Sequence, residues 1–260
     1  MGNPLKNPPV YFTVAQARFN ALLNLAEYLP SIQDAMRKAG FPDFMPRKTL
    51  VLQVSMQEGQ AVPSPATHES FLFGTADKTH CFVLSAEALT LQSTKYGTFE
   101  HFSAMFLEGL KRVHQVVHLD YTERVGLRYL DYVAPMGKDS LVQYLASEVI
   151  GLGERLGGNP VHSFSETLNV VGEVRLLTRV VIQSGALSFP PDLQPESMAV
   201  DSRFLAHTGH HAVLDTDGSV EGREIFSTEI VGQHLNAIHK VIGGAFRATV
   251  TDHAFKVWSE

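Results

Sequence analysis

HHAVLDTDGSV, residues 210–220, is the stretch that separates the fold classes open to this chain. Apolar residues typical of a strand lead into Asp215 and Asp217, and a glycine and a serine follow. Asp-Gly is a favoured turn dipeptide, and short Asp side chains accept hydrogen bonds from nearby backbone. The chain shows no regular alternation of strands and helices that would build a parallel sheet. We therefore expect a strand that ends in a tight turn.

The same residues also match the first motif of aspartate-nucleophile phosphatases of the haloacid dehalogenase type. There the first Asp attacks phosphorus and the second acts as acid and base, at the tip of a parallel strand. That reaction also needs a magnesium-binding acidic pair, and the short stretch after Asp217 offers Lys240 and Lys256 but no such pair. We keep as an alternative a metal-dependent hydrolase centred on Asp215, Asp217 and His211.

Composition excludes several classes of protein. The chain has 260 residues with a net charge of −6, which argues against a general polyanion binder. Cys81 is the only cysteine, so the chain forms no internal disulfide, and its apolar neighbours predict a buried, unreactive thiol. No stretch of about 20 apolar residues is present, and the N-terminus lacks an apolar signal segment. We expect a cytoplasmic protein that does not enter a membrane.

Two long amphipathic helices organise the prediction of the fold. GTFEHFSAMFLEGLKRVHQVV (97–117) and FSTEIVGQHLNAIHKVIGGAF (226–246) carry apolar residues at steps of three and four. Each follows a series of predicted antiparallel strands and precedes a short extended segment. The pattern predicts an α+β fold of two tandem, similar halves, residues 1–137 and 138–260, each an antiparallel sheet packed with a long amphipathic helix.

Four shorter stretches complete the prediction of secondary structure. Residues 31–41 are expected to be a helix that begins at Ser31 and ends at Gly40, and residues 58–70 a loop because of their prolines and serines. Residues 140–156 are expected to form one helix, and residues 248–258 an extended segment.

The strand RVGLRYLDYV, residues 124–133, supplies the other candidate binding residues, Arg124, Arg128 and Asp131. Both arginines lie on one face with Gly126 between them, a patch that suits an anion or a carboxylate. Cross-strand ion pairs on a solvated face explain the same residues and are the favoured interpretation. The candidate binding residues are therefore Arg124, Arg128, Asp131, Asp215 and Asp217, and no catalytic residue is assigned.

Metal binding and cofactors are not predicted. On one strand His207 and His211 share a face but lie roughly 13 Å apart, too far for one zinc ion. His210 and His211 point to opposite faces. The fallback metal pair is His207 and His210, which would face each other if Thr208 and Gly209 formed a two-residue hairpin turn.

Five stretches resemble those of a known group of proteins: NPPV (7–10), LTLQSTKYGTFEHF (89–102), RVGLRY (124–129), LDTD (214–217) and LNAIHKVIGGAF (235–246). In these the chain resembles a patchily distributed bacterial family, defined by a provisional model, with no established activity. The resemblance implies two α+β halves and no catalytic residues. Patchy distribution suggests an accessory of mobile elements or antiviral defence.

The leading hypothesis for function is a non-catalytic binding protein, an accessory subunit or regulator that acts on a protein partner. Every catalytic constellation sought is incomplete, whereas the apolar helix stripes and open sheets supply surface. The alternatives are the hydrolase above and a nucleic-acid accessory using Arg124, Arg128 and Lys111, which the net charge disfavours. The oligomeric state is left open.

Overall fold

The structure is a computed structural model that describes residues 5–57, 60–156, 161–193, 195 and 197–260, without the side chains of 51–57, 60–66, 153 and 154. Its strands are β1 (Val10–Phe19), β2 (Asp43–Gln57), β3 (Gln60–Gly74), β4 (His80–Ser85), β5 (Ala88–Ser93), β6 (Tyr121–Val133), β7 (His162–Val171), β8 (Val174–Ser184) and β9 (His210–Ile225). Its helices are α1 (Leu25–Lys38), α2 (Phe99–Val117), α3 (Leu141–Tyr144), α4 (Ser147–Ile150), α5 (Gly153–Leu156), α6 (Ser202–Leu205), α7 (Thr228–Thr249) and α8 (Asp252–Ser259).

All nine strands of the described residues join in one antiparallel sheet, in the order β2-β3-β4-β5-β1-β6-β9-β8-β7. The predicted α+β class is confirmed, but the strands form a continuous sheet and not one sheet in each half. β6 pairs with β1 on one side and with β9 on the other, so neither of its edges is left without backbone partners.

One side of the sheet, the helix face, is covered by the long helices. The predicted stripe of α2 is buried at Phe99, Phe102, Phe106, Leu110 and Val113, and α7 likewise buries Val231, Leu235, Ile238 and Ile242. These side chains pack on inward-facing residues of β1, β5 and β6 in a single apolar cluster. Both amphipathic helices are therefore confirmed, because their apolar stripes have a sheet to cover.

A second cluster on the helix face corrects two predictions. Residues 140–156 form three four-residue helices, because Leu145 is extended and bridges to Val250. Residues 252–259 are helix α8 and not an extended segment, since Thr251 accepts a hydrogen bond from the Ala254 backbone N–H and caps the helix. Trp258 of α8 is buried against this cluster.

Two further boundaries differ from expectation. α1 begins at Leu25, six residues before Ser31, and ends at Lys38; the predicted stop residue Gly40 follows two residues later with φ +92°. Most of the predicted loop 58–70 belongs to β3, which pairs with β2 over its whole length. β4 pairs with residues 70–74 of β3, so Pro63 and Pro65 lie in a two-stranded extension, where among the described residues β3 has a partner strand on one side only.

The opposite side of the sheet, the strap face, carries the candidate site. A segment without regular structure, residues 185–193 and here called the strap, crosses it after β8. Phe189 of the strap packs edge-on against Tyr11 and Phe12, with ring centroids 5.1 and 5.4 Å apart. Phe204 of α6 adds to the same apolar cluster. The strap thus buries part of a face that would otherwise be solvated.

In the part of the chain that the structure describes, no helix is long and apolar enough to cross a membrane.

Candidate functional site

The motif around Asp215 lies in the middle of a strand and not in a turn. β9 runs without interruption through Asp215, Asp217 and Gly218, so the predicted turn is wrong. Gly218 faces α7, and a Cβ there would lie 2.5 Å from the Ile238 side chain. The glycine therefore serves close helix–sheet packing, which the dipeptide pattern alone could not distinguish from a turn.

Arg128 and Asp215 form the buried centre of the site on the strap face. Arg128 donates two hydrogen bonds to the Asp215 carboxylate, at 2.6 and 2.7 Å, and the Asp215 side chain is only 3% exposed. Asp192 of the strap accepts a further bond from Arg128 at 2.6 Å. Burial opposes a charged guanidinium, but the hydrogen bonds to Asp215 and Asp192 outweigh it and raise the pKa of Arg128.

Arg179 of β8 closes the network on the other side of Asp215. It donates to Glu166 of β7 at 2.7 Å and to Asp215 at 3.4 Å. Asp215 opposes Arg179 in the β8–β9 register and lies diagonally across from Arg128 of β6. Strand pairing thus places one carboxylate between two guanidinium groups.

The guanidinium of Arg124 fills the space above Gly126, where the sequence suggested an open patch for an anion. Its guanidinium lies over Gly126, where an added Cβ would be 2.6 Å from Nη1, and it donates to Gln16 at 3.1 Å. Asp217 and Glu221 lie 3.8 and 3.9 Å from the same guanidinium. Burial raises the pKa of Asp217 against the opposing effect of the arginines. The ion-pair interpretation is confirmed, and the open anion patch is not formed.

The expected solvated face is wrong at the centre of this network. Four of the five predicted binding residues, Arg124, Arg128, Asp215 and Asp217, converge on the strap face. Arg128 and Asp215 are buried there because the strap and its Asp192 cover them.

Asp131, the fifth predicted residue, lies on the helix face, away from the network. It is 7% exposed, and no hydrogen bond or ion pair reaches its carboxylate from the described residues. Burial alone raises the pKa of Asp131 to about 7. Its neighbour Tyr129 bonds to Tyr96 at 2.9 Å and to His239 at 3.2 Å. The Asp131 carboxyl is therefore buried apart from the ion-pair network of the strap face.

A cavity of about 510 Å³ lies beside the network, between the strap and strands β7 to β9. Its walls are mostly apolar and include Phe164, Val181, Phe189 and Val213, and its polar groups include Arg179, Asp192 and Asp215. This volume is within the range of small-molecule pockets and of pockets that take a partner's side chains.

The histidines do not behave as the strand geometry predicted. The rings of His207 and His211 lie 6.2 Å apart, because residues 206–209 precede β9 and are not extended. Thr208 and Gly209 form no hairpin turn, so the geometry on which the fallback pair of His207 and His210 depended is not present. Within the described residues, no three His, Cys, Asp or Glu side chains lie close enough together to hold a metal ion.

Two other sets of residues are dispersed by the fold. His211 Nδ1 donates a hydrogen bond to the Gly209 carbonyl oxygen at 3.0 Å, while the Asp215 oxygens accept hydrogen bonds from arginines. Lys111 lies on α2, which covers the helix face, whereas Arg124 and Arg128 point to the strap face.

No protein-family model matches this chain, and no curated protein shows significant similarity to it.

Four members of the site were missed in the sequence: Arg179, Glu166, Asp192 and Glu221. Arg179 lies in the strand-like stretch EVRLLTRVVIQ (173–183), but the sequence of one strand does not say which strands are its neighbours. Asp192 stands in a proline-rich stretch, SFPPDLQPES, where no periodicity predicts a contact.

Proposed function

We propose that this protein is a non-catalytic binding protein that receives a segment of a partner protein in the cavity beside the strap. One observation carries the proposal: the charged groups of the site are bound to one another, while an apolar cavity opens directly beside them. An ion-pair network whose charged groups are all paired makes the surrounding surface rigid. Apolar pockets accept the anchoring side chains of a partner.

The network is poorly suited to the alternative functions. A hydrolase centred on Asp215 needs a free carboxylate, and both Asp215 oxygens accept hydrogen bonds from arginines. A nucleic-acid interface needs cations in excess, whereas the network sets three arginines against five carboxylates: Arg124, Arg128 and Arg179, with Glu166, Asp192, Asp215, Asp217 and Glu221.

The setting of this activity is part of the same proposal. We place the protein in the bacterial cytoplasm as an accessory subunit or regulator, in a mobile-element or antiviral defence system. The resemblance of short stretches such as LDTD (214–217) to the patchily distributed family is what motivates this setting. The absence of a catalytic constellation in the sequence is consistent with it.

We also propose that the two similar halves derive from one repeated arrangement. From the central β1–β6 pair, strands β5, β4 and β3 follow on one side and β9, β8 and β7 on the other. The first unit would begin at β1 and the second at β6, with α2 corresponding to α7, so the boundary would lie near Tyr121 and not between residues 137 and 138 as the sequence suggested. Superposition of the two units should align those strands and helices, and a best fit that pairs α2 with a strand region would contradict the duplication.

A photo-crosslinking amino acid at Val181, inside the cavity, tests the binding proposal in the native host. We expect one dominant crosslinked partner, and the purified partner should bind the unmodified chain. Val181→Asp should weaken that binding by about tenfold or more, as loss of an anchoring pocket does, with the melting temperature measured in parallel.

The matched control carries the same crosslinker at Gln233, which is exposed on α7. It should give no crosslink to that partner. Equal crosslinking from Val181 and Gln233, or a partner whose affinity is unchanged by Val181→Asp, would refute the cavity as the binding site.

A further inference from the structure

β7 is an exposed edge of the sheet. It pairs with β8 along ten residues without a bulge, from His162 opposite Gln183 to Val171 opposite Val174. On its other side no strand of the described residues is present. An unpaired edge presents a row of backbone N–H and C=O groups that another strand can bind.

This edge lacks the features that normally prevent pairing. Phe164, Leu168 and Val170 point to the strap face and are 54%, 51% and 74% exposed. Its one charged side chain, Glu166, is bound to Arg179 within the same chain. β7 contains no lysine and no proline, which natural edge strands use to block pairing.

The opposite edge of the sheet shows the contrast. β2 carries Pro46, Arg47 and Lys48, and Lys48 forms an ion pair with Glu69 of β3 at 2.7 Å. Pro46 and Arg47 interrupt strand addition at residues 46 and 47 of β2, whereas β7 has no proline, lysine or arginine.

We infer that β7 pairs antiparallel with β7 of a second copy of this chain, about a two-fold axis at Thr167. In a two-fold dimer the same surface of each copy forms the contact. A second copy is the favoured partner because β7 is nearly neutral and its apolar side chains can oppose one another. The inference rests on strand geometry and does not depend on the partner proposed above.

The register follows from the side chains. With the axis at Thr167, Phe164 of each copy opposes Val170 of the other, Glu166 opposes Leu168, and the two Thr167 side chains meet. Apolar pairs and Thr–Thr pairs are both favourable across antiparallel strands.

Neighbouring registers are worse. An axis at Glu166 sets the two Glu166 carboxylates directly opposite each other, which is unfavourable. An axis at Leu168 moves Phe164 opposite Gly172, beyond the end of β7 at Val171. The side chains of β7 therefore select Thr167 as the centre.

Dimerisation would join the two sheets into one and set both strap cavities on the same face. Phe164 lines the cavity, so Val170 of the second copy would lie next to its rim.

Oxidative crosslinking of Thr167→Cys tests the axis. The native chain has one thiol, Cys81, which is buried and whose pKa burial raises to about 11, so it should not react. Opposed residues on antiparallel strands have Cα atoms about 4.5–5.5 Å apart, within disulfide range. We expect most of the Thr167→Cys protein to become a covalent dimer on mild oxidation.

Ser165→Cys is the matched control. In this register each Ser165 opposes Asn169, and the two introduced thiols would lie about 13 Å apart along the strand, beyond the disulfide limit of about 7 Å. It should stay monomeric under the same conditions, whereas the double variant Ser165→Cys/Asn169→Cys should crosslink. Equal crosslinking of the two single variants would overturn the register.

Light scattering of the unmodified protein tests the dimer itself. We expect a dimer that Leu168→Lys converts to monomer without changing the melting temperature of the fold. Leu50→Lys, at a position 78% exposed on the other edge, should leave the dimer intact. An unmodified protein that is monomeric at about 100 μM, together with no Thr167→Cys dimer, would refute the interface.

Discussion

Replacement of Asp215 by alanine should lower the free energy of unfolding by about 3–5 kcal/mol, the usual cost of removing one partner of a buried ion pair. The change leaves Arg128 buried with only Asp192 to bind it and removes one of the two carboxylates that Arg179 contacts. A turn at this position would predict a loss of only about 1 kcal/mol, from one local hydrogen bond. Urea denaturation at pH 7 separates the two magnitudes.

Two controls identify the cause. Asp217→Asn changes a partly exposed carboxylate whose ionic contact with Arg124 is 3.8 Å long, and it should cost no more than about 1 kcal/mol. The double variant Arg128→Met/Asp215→Leu removes both charges and should be more stable than Asp215→Ala, because no buried charge is left without a partner. If Asp215→Ala and Asp217→Asn lower the free energy of unfolding equally, the buried Arg128–Asp215 pair is not the main stabilising contact of the strap face.

Asp131→Asn should make the protein more stable above pH 7, by about 2–4 kcal/mol. Burial raises the pKa of Asp131 from 3.8 to about 7, and this difference corresponds to about 4 kcal/mol. The folded state holds the proton between about pH 4 and pH 7, where the unfolded state has lost it. Stability of the unmodified protein therefore falls as the pH rises through that window, and the amide removes the dependence.

Denaturation of both proteins at pH 4, 5.5, 7 and 8 measures the effect. The two should have similar stability at pH 4, and the advantage of Asp131→Asn should grow until the pH passes 7. Asp139→Asn is the control, since hydrogen bonds to His253 and Tyr144 lower the pKa of Asp139, and its loss should not stabilise the protein at high pH. An Asp131→Asn advantage that is the same at every pH would show that titration is not its cause.

Local patterns were sufficient for the elements that cover the sheet. α2 and α7 follow from apolar side chains at helical spacing, because a stripe such as Phe102 and Phe106 must be buried wherever the helix lies. Arg124 and Arg128 on one strand face also follow from the two-residue period of a strand. Neither pattern contains information about which strands become neighbours.

The errors have the same origin. At Asp217-Gly218 the turn preference of the dipeptide was overridden by pairing of β9 on both sides and by α7 packing on the glycine. Residues 140–156 have a helical composition, but the chain at Leu145 extends to bridge Val250. At both positions, contacts between residues distant in sequence determined the local backbone conformation.

The class of the fold, the two long helices and the common strand face of Arg124 and Arg128 follow from side-chain periodicity within single segments. The pairing of β6 with β9, the completion of the Asp215 network by Arg179 and Asp192, and the burial of Asp131 on the other face depend on tertiary structure. Those contacts depend on strand order and on the path of the strap. Strand order brings Arg128 and Asp215 together although they are 87 positions apart in the sequence. The binding energy of such contacts appears only when the whole sheet has formed.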